Sequence, residues 1–136
     1  MTAAELRRTL AAWLLILVLA TGNGVLREAV LVPVLGPTAA LVASGLLLSA
    51  CVAIVTVTLA RWLRLDSPSA GRRIGLLWLA LTVAFEFGFG LVRHRTWTEM
   101  LEPYTFTDGN LWPLVLVVTV AAPAVVARVR SRRPRT

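Results

Sequence analysis

Asn23-Gly24-Val25-Leu26-Arg27-Glu28 interrupts an apolar run that extends from about 10 to 32, and sets an amide, a helix-loosening glycine and two opposite charges among hydrocarbon side chains. A helix needs roughly 20 residues to cross the apolar core of a bilayer, so a run of this length reads as a membrane span. Charges at such depth cost a few kcal/mol each on insertion scales, and they therefore face a partner, a cavity or water rather than lipid. Glu86 is the other acidic residue deep inside an apolar run. The six-residue stretch and Glu86 together decide how the chain is read.

Three further runs have spanning length, at about 38 to 60, 74 to 92 and 111 to 127. They take up most of the 136 residues and leave no room for a separate soluble domain. Charged residues are 15% of the chain and hydrophobic ones 57%, whereas about a quarter of a soluble domain is charged. The mean hydropathy is +0.77. The expected fold is an all-α membrane protein: residues 1–136 form one integral membrane domain, a four-transmembrane-helix bundle. A short periplasmic interfacial helix is expected between the third and fourth spans.

Arginine placement gives the orientation. Arg7 and Arg8 precede the first span, Arg61, Arg64, Arg72 and Arg73 lie between the second and third, and Arg128, Arg130, Arg132, Arg133 and Arg135 follow the fourth. These eleven stand against Arg93 and Arg95 on the other side, so both termini are expected in the cytoplasm. The tail arginines suit anionic lipid headgroups, and the net charge of +7 therefore implies no nucleic-acid partner. Trp13, Trp62, Trp78, Trp97 and Trp112 fall near span ends, as an interfacial aromatic belt would place them. The N-terminal segment also fits a secretory signal peptide loosely, with Ala20-Thr21-Gly22 as a small-residue cleavage site. Apolar character resumes from Ala29 to Leu35, which argues that the charged stretch is embedded in a longer helix.

Local signals mark the turns. Gly22 and Gly24 are places for the first helix to loosen, and Pro33, Gly36 and Pro37 are expected to end it. Gly45, Ser49 and Ala53 form a small-residue stripe suited to close packing within the chain, with a homodimer as the other use. Pro68 and Gly71 break the loop before the third span, and Pro123 predicts a kink in the fourth. Thr96-x-x-Glu99 is a capping box, with Trp97, Met100, Leu101 and Tyr104 on one face of the short helix that would roof the bundle.

The third run carries Gly75, Leu79, Thr82, Glu86, Gly90 and Arg93 along one face, with Phe85, Phe87 and Phe89 as an apolar collar about Glu86. At 1.5 Å per residue, Glu86 lies roughly 20 Å from Arg73 and Arg27 roughly 21 Å from Trp13. Equal depth predicts an Arg27–Glu86 pair between the first and third spans. Glu28 is the weaker partner, since neighbours on an α-helix do not face each other. The candidate ion or substrate site is therefore Asn23, Arg27, Glu28 and Glu86, with Thr82, Arg93, His94 and Asp108 as secondary members. Cys51 has no second cysteine to pair with, and one histidine cannot build a metal centre, so no cofactor, metal or catalytic residue is expected.

Asn23-Gly24-x-x-Arg27-Glu28 followed by Pro33, Trp78-Leu79-Ala80-Leu81-Thr82 leading to Phe85-Glu86-Phe87, and Gly109-Asn110-Leu111-Trp112-Pro113-Leu114 resemble a group of small four-span bacterial membrane proteins with no assigned activity. The resemblance covers nearly the whole chain and implies a bacterial inner-membrane location. Likeness to small multidrug exporters stops at size and a membrane glutamate, and likeness to fluoride channels at the span count. Two functions follow from the residues: a transporter or channel subunit in which the Arg/Glu site binds a proton or cation, or an accessory subunit whose charges only lock helix packing. Either role allows a homo-oligomer or a larger membrane complex as partner. An enzyme ranks third, because no nucleophile with its base is present.

Overall fold

The Thr2 hydroxyl accepts the Glu5 amide while the Glu5 carboxylate takes the Thr2 amide, and this capping box starts the first helix seven residues before the apolar run begins. In the computed structural model, which describes residues 1–105 and 107–133 (Thr107 by its backbone alone), that helix, α1, spans Ala3–Leu35. It is followed by α2 (Pro37–Thr58), α3 (Pro68–Val92), a short α4 (Trp97–Leu101) with two 3₁₀ turns, and α5 (Trp112–Arg132). Four helices are long and apolar enough to cross a membrane by length and composition. Only 22–33% of each most apolar window is buried, so the outward faces, Val18, Ile54, Leu76 and Val117 among them, are apolar as lipid requires. Arg135 lies outside the described residues.

Three sequence expectations about breaks need correcting. α1 runs straight through Gly22 and Gly24, and its irregularity is a π-helical segment at Arg27–Leu31, where the Val32 amide bonds to the Arg27 carbonyl. Pro33 neither ends the helix nor has an amide to give. Its ring would crowd the carbonyl four residues back, and the wider π turn just before it absorbs that conflict. The chain turns three residues later, at Gly36, whose φ of 86° is open to glycine. Likewise Pro68 is the first residue of α3, behind the Ser67 cap, and Gly71 lies inside the helix. α5 continues through Pro123.

The core is built on close approach. A Cβ on Gly75 would collide with the Val120 carbonyl, and one on Gly71 with the Pro123 carbonyl and the Ala127 side chain, so α3 and α5 touch backbone to backbone. Gly45 takes the Leu111 side chain in the same way, which puts that part of the small-residue stripe inside the chain. The loop joining α2 to α3 is also packed: Leu63 and Leu65 are buried, and Arg130 donates to the Leu65 carbonyl and the Asp66 carboxylate, both at 3.1 Å. One tail arginine thus clamps the loop.

Trp78 and Trp13 overturn the belt expectation. Trp78 is fully buried and donates to the Thr9 carbonyl at 3.0 Å, while Trp13 donates to the Thr82 hydroxyl at 3.1 Å. In an apolar interior an indole N–H must find an acceptor, and here each acceptor lies on the neighbouring parallel helix. Both bridges join residues 69 apart, which sets the register of α1 on α3.

Gly75→Leu should destabilise the protein by about 1–3 kcal/mol or more, because backbone rather than a flexible side chain stands in the way. Gly22→Ala, which meets nothing within 4 Å, should be neutral or stabilise by up to about 1 kcal/mol. Thermal unfolding in detergent compares the two, and an unaffected Gly75→Leu would remove the close approach from this account.

Candidate functional site

Beyond the paired indoles, α1 packs chiefly on α2 and approaches α3 sparsely. A cavity of about 430 Å³ opens there among α1, α2, α3 and α5, with Pro103 and Asn110 at the loop end. Ligand cavities fall in about this range, from 300 Å³ up. Its lower wall is apolar, with Trp13, Ile16, Leu48, Val52 and Phe85. Its polar members include Asn23, Arg27, Thr82, Glu86 and Arg95.

Helix register explains which of these meet. Leu17 is the α1 residue level with Glu86 if the spacing of 69 set by the two indole bridges continues. Arg27 then lies ten residues, or roughly 15 Å, further along the helix. The expected Arg27–Glu86 pair is absent, and the equal-depth argument failed because Trp13 lies within the bundle, bonded to Thr82, and does not mark its end. Arg27 instead pairs with Glu28, Nε to Oε1 at 3.2 Å, and its other guanidinium arm reaches the Ser44 hydroxyl at 3.4 Å. Neighbours on an α-helix point about 100° apart, but both residues fall in the π segment, whose wider turn narrows that angle. The guanidinium leans back over Gly24, as helical side chains lean toward the N-terminus.

Asn23 is 7% exposed and donates through Nδ2 to both the Ser44 carbonyl, at 3.1 Å, and the Ser44 hydroxyl, at 2.9 Å. A carbonyl only accepts, so the amide cannot be flipped, and Oδ1 is left buried with no donor. Such an acceptor costs about 1–3 kcal/mol unless something fills its need. Glu86 makes no hydrogen bond and no ion pair among the described residues. The cation acting on it through space is Arg95, at the loop end.

The secondary candidates separate. Thr82 lines the cavity, accepting from Trp13 and donating to the Trp78 carbonyl. Arg93 sits over the Phe89 ring, 5.4 Å from its centroid. His94 and Asp108 have φ of 57° and 55°, conformations that end helical turns, and neither lines the cavity. The collar divides: Phe85 and Phe89 stack along the cavity edge, while Phe87 stacks on Tyr104 under the cap. Sequence reasoning missed Arg95, Ser44 and Asn110 as members of the site, the last having appeared only within the Gly109-Asn110-Leu111-Trp112-Pro113-Leu114 motif. Among the described residues no cluster of His, Cys, Asp or Glu could hold a metal.

No family model, curated protein or solved structure matches the chain.

Burial lifts the Tyr104 phenol above its ordinary 10.0, the adjacent Trp112 indole opposes this, and the negative charge of Glu86 adds to it. Tyr104 is the sole tyrosine, so tyrosinate absorbance reports it alone. Because the folded value exceeds the unfolded one, its contribution to stability is complete below the ordinary tyrosine range and is lost as pH rises through the folded value. Alkaline titration should therefore show tyrosinate forming at higher pH in folded than in denatured protein, with Glu86→Gln moving the folded midpoint down. Coincident folded and denatured curves would contradict the burial of this ring.

Proposed function

We propose that this chain is a small transporter subunit in which Glu86 takes up a proton or a cation inside the bundle. The observation that carries this reading is the division of the charges. Arg27 is engaged by Glu28 and Ser44, which leaves Glu86 facing a cavity without a partner among the described residues. A charge retained only to lock helices would be paired, because an unpaired carboxylate in an apolar bundle costs stability and returns none. The accessory-subunit alternative lacks that pairing at Glu86.

In this reading the chain is a multi-pass protein of a bacterial inner membrane, with both termini in the cytoplasm and Trp97–Leu101 at the periplasmic surface. The eleven-to-two arginine asymmetry supports the orientation. With Arg130 occupied by Asp66, the contacts to anionic headgroups fall to Arg128, Arg132 and Arg133. The cavity, near Arg95 and Pro103, then lies toward the outer face.

In proteoliposomes, wild type should dissipate an imposed proton or cation gradient and Glu86→Gln should not, while Glu28→Gln retains most of the activity. Equal flux from wild type and Glu86→Gln, or none from either, removes the transport role. Topology has its own test in a Cys51→Ala background: an impermeant thiol reagent applied to intact cells should label Thr105→Cys and spare Ser69→Cys. The reverse pattern would invert the orientation.

A further inference from the structure

We propose that the cavity opens sideways into the hydrocarbon of the bilayer, between α1 and α3, and takes the single chain of an amphiphile whose anionic head stays at Arg95. The position of the mouth follows from which lining residues are exposed. Leu48 and Val52 on α2 and Val115 and Thr119 on α5 are buried and close the back. The exposed members of the lining are Thr21 on α1, Phe85 and Phe89 on α3, which are 42% and 48% exposed, and Arg95. The opening therefore lies where α1 and α3, pinned together by the two indoles, part company.

The rim is apolar. The Thr21 hydroxyl donates to the Leu17 carbonyl of its own helix, and Val18 and Val25, three residues before it and four after on the same face of α1, are exposed. On α3, Val92 follows Phe89 one turn further along and is exposed as well. An ion would have to shed its hydration to cross hydrocarbon to such an entrance, whereas a solute already dissolved among acyl chains loses nothing on the way.

The shape fits one chain. Lining residues run from Trp13 to Gly24 on α1 and from Leu41 to Val52 on α2, eleven steps on each helix or roughly 16 Å. Spread over that length, about 430 Å³ leaves a mean cross-section of about 27 Å², room for one extended hydrocarbon chain and not for two side by side. The floor, formed by Trp13, Ile16, Leu48 and Val52, offers a chain end no polar partner, since the Trp13 N–H is taken by Thr82.

At the loop end the character changes. Arg95 is exposed and has no salt bridge and no side-chain hydrogen bond among the described residues, while Arg93 stands over the Phe89 ring of the rim, so a head held there is anionic. Glu86 acts on Arg95 through space from the cavity wall and therefore competes with the head for that cation. The inference rests on the exposure of the rim, the shape of the cavity and Arg95, and holds whether or not Glu86 carries a proton or cation through the bundle.

Photolabelling in lipid nanodiscs, mapped by peptide mass spectrometry, tests this with probes that carry a diazirine at the end of a chain. The probes are hexadecyl phosphate, hexadecanol, hexadecyltrimethylammonium, and phosphatidic acid with the diazirine on one of its two chains. Hexadecyl phosphate should label Val52 and Val115 on the back wall saturably, in competition with its unlabelled form. Val18 and Ile54, on the outer surface, should be labelled by every probe without saturation. Hexadecanol and the ammonium should label the back wall about two- to five-fold less, the worth of one exposed ion pair. Arg95→Gln should remove the difference between phosphate and alcohol, and Glu86→Gln should raise labelling by the phosphate. Thr21→Trp, which fills the mouth from the lipid side, should abolish back-wall labelling while that of Ile54 persists; the wild-type series decides alone should this variant not fold. Back-wall labelling by no probe overturns the sideways opening and leaves the flux test of Glu86 untouched. Alcohol or ammonium matching the phosphate overturns the anionic head, and phosphatidic acid matching it overturns the single chain. Undiminished back-wall labelling in folded Thr21→Trp overturns the route between α1 and α3.

Discussion

Two indole N–H groups hold this bundle in register. Each would be an orphaned donor in an apolar interior, and each is satisfied only by an acceptor on the adjacent helix: Trp78 by the Thr9 carbonyl and Trp13 by the Thr82 hydroxyl. Sliding α1 along α3 by one turn would break both bonds at once and strand both donors. The height of every polar group on α1 relative to α3 follows from that constraint, including the separation of Arg27 from Glu86.

A second constraint acts on the opposite face of α3. Gly71 and Gly75 admit the α5 backbone so closely that no side chain fits between, which commits α3 to α5 and leaves α1 to lean on α2. The cavity follows from this unequal sharing. Tight contact on one side of α3, and contact on the other concentrated at the paired tryptophans, leaves space above them that Phe85, Glu86 and Phe89 line from one wall and Leu17, Asn23 and Arg27 from another.

The π segment joins backbone conflict to charge. It accommodates Pro33, and the same widened turn lets consecutive Arg27 and Glu28 pair, which an ordinary α-helix disfavours. Because Arg27 is satisfied locally, Glu86 is not needed as its counter-ion. A proline near the end of one helix thereby bears on the state of a carboxylate roughly 24 Å away in level, through the allocation of charge.

The sequence by itself determined the four helices long and apolar enough to cross a membrane, the arginine asymmetry, the Thr96–Glu99 capping box and the set of residues able to form a polar site, because hydropathy over 20 residues and capping chemistry are local properties. It also singled out Asn23, Arg27, Thr82 and Glu86, all of which line one cavity. Pairing was beyond it. Depth counted from an assumed boundary at Trp13 was wrong by about ten residues, since a tryptophan near a span end reads alike whether it meets the headgroups or donates to a neighbouring helix. Only the tertiary structure decided that Arg27 answers Glu28, that Ser44 and Arg95 belong to the site, and that Asn23 Oδ1 and Glu86 remain without donors among the described residues. Those outcomes depend on the relative height and rotation of helices, which contacts distant in sequence set and no single stretch of the chain encodes.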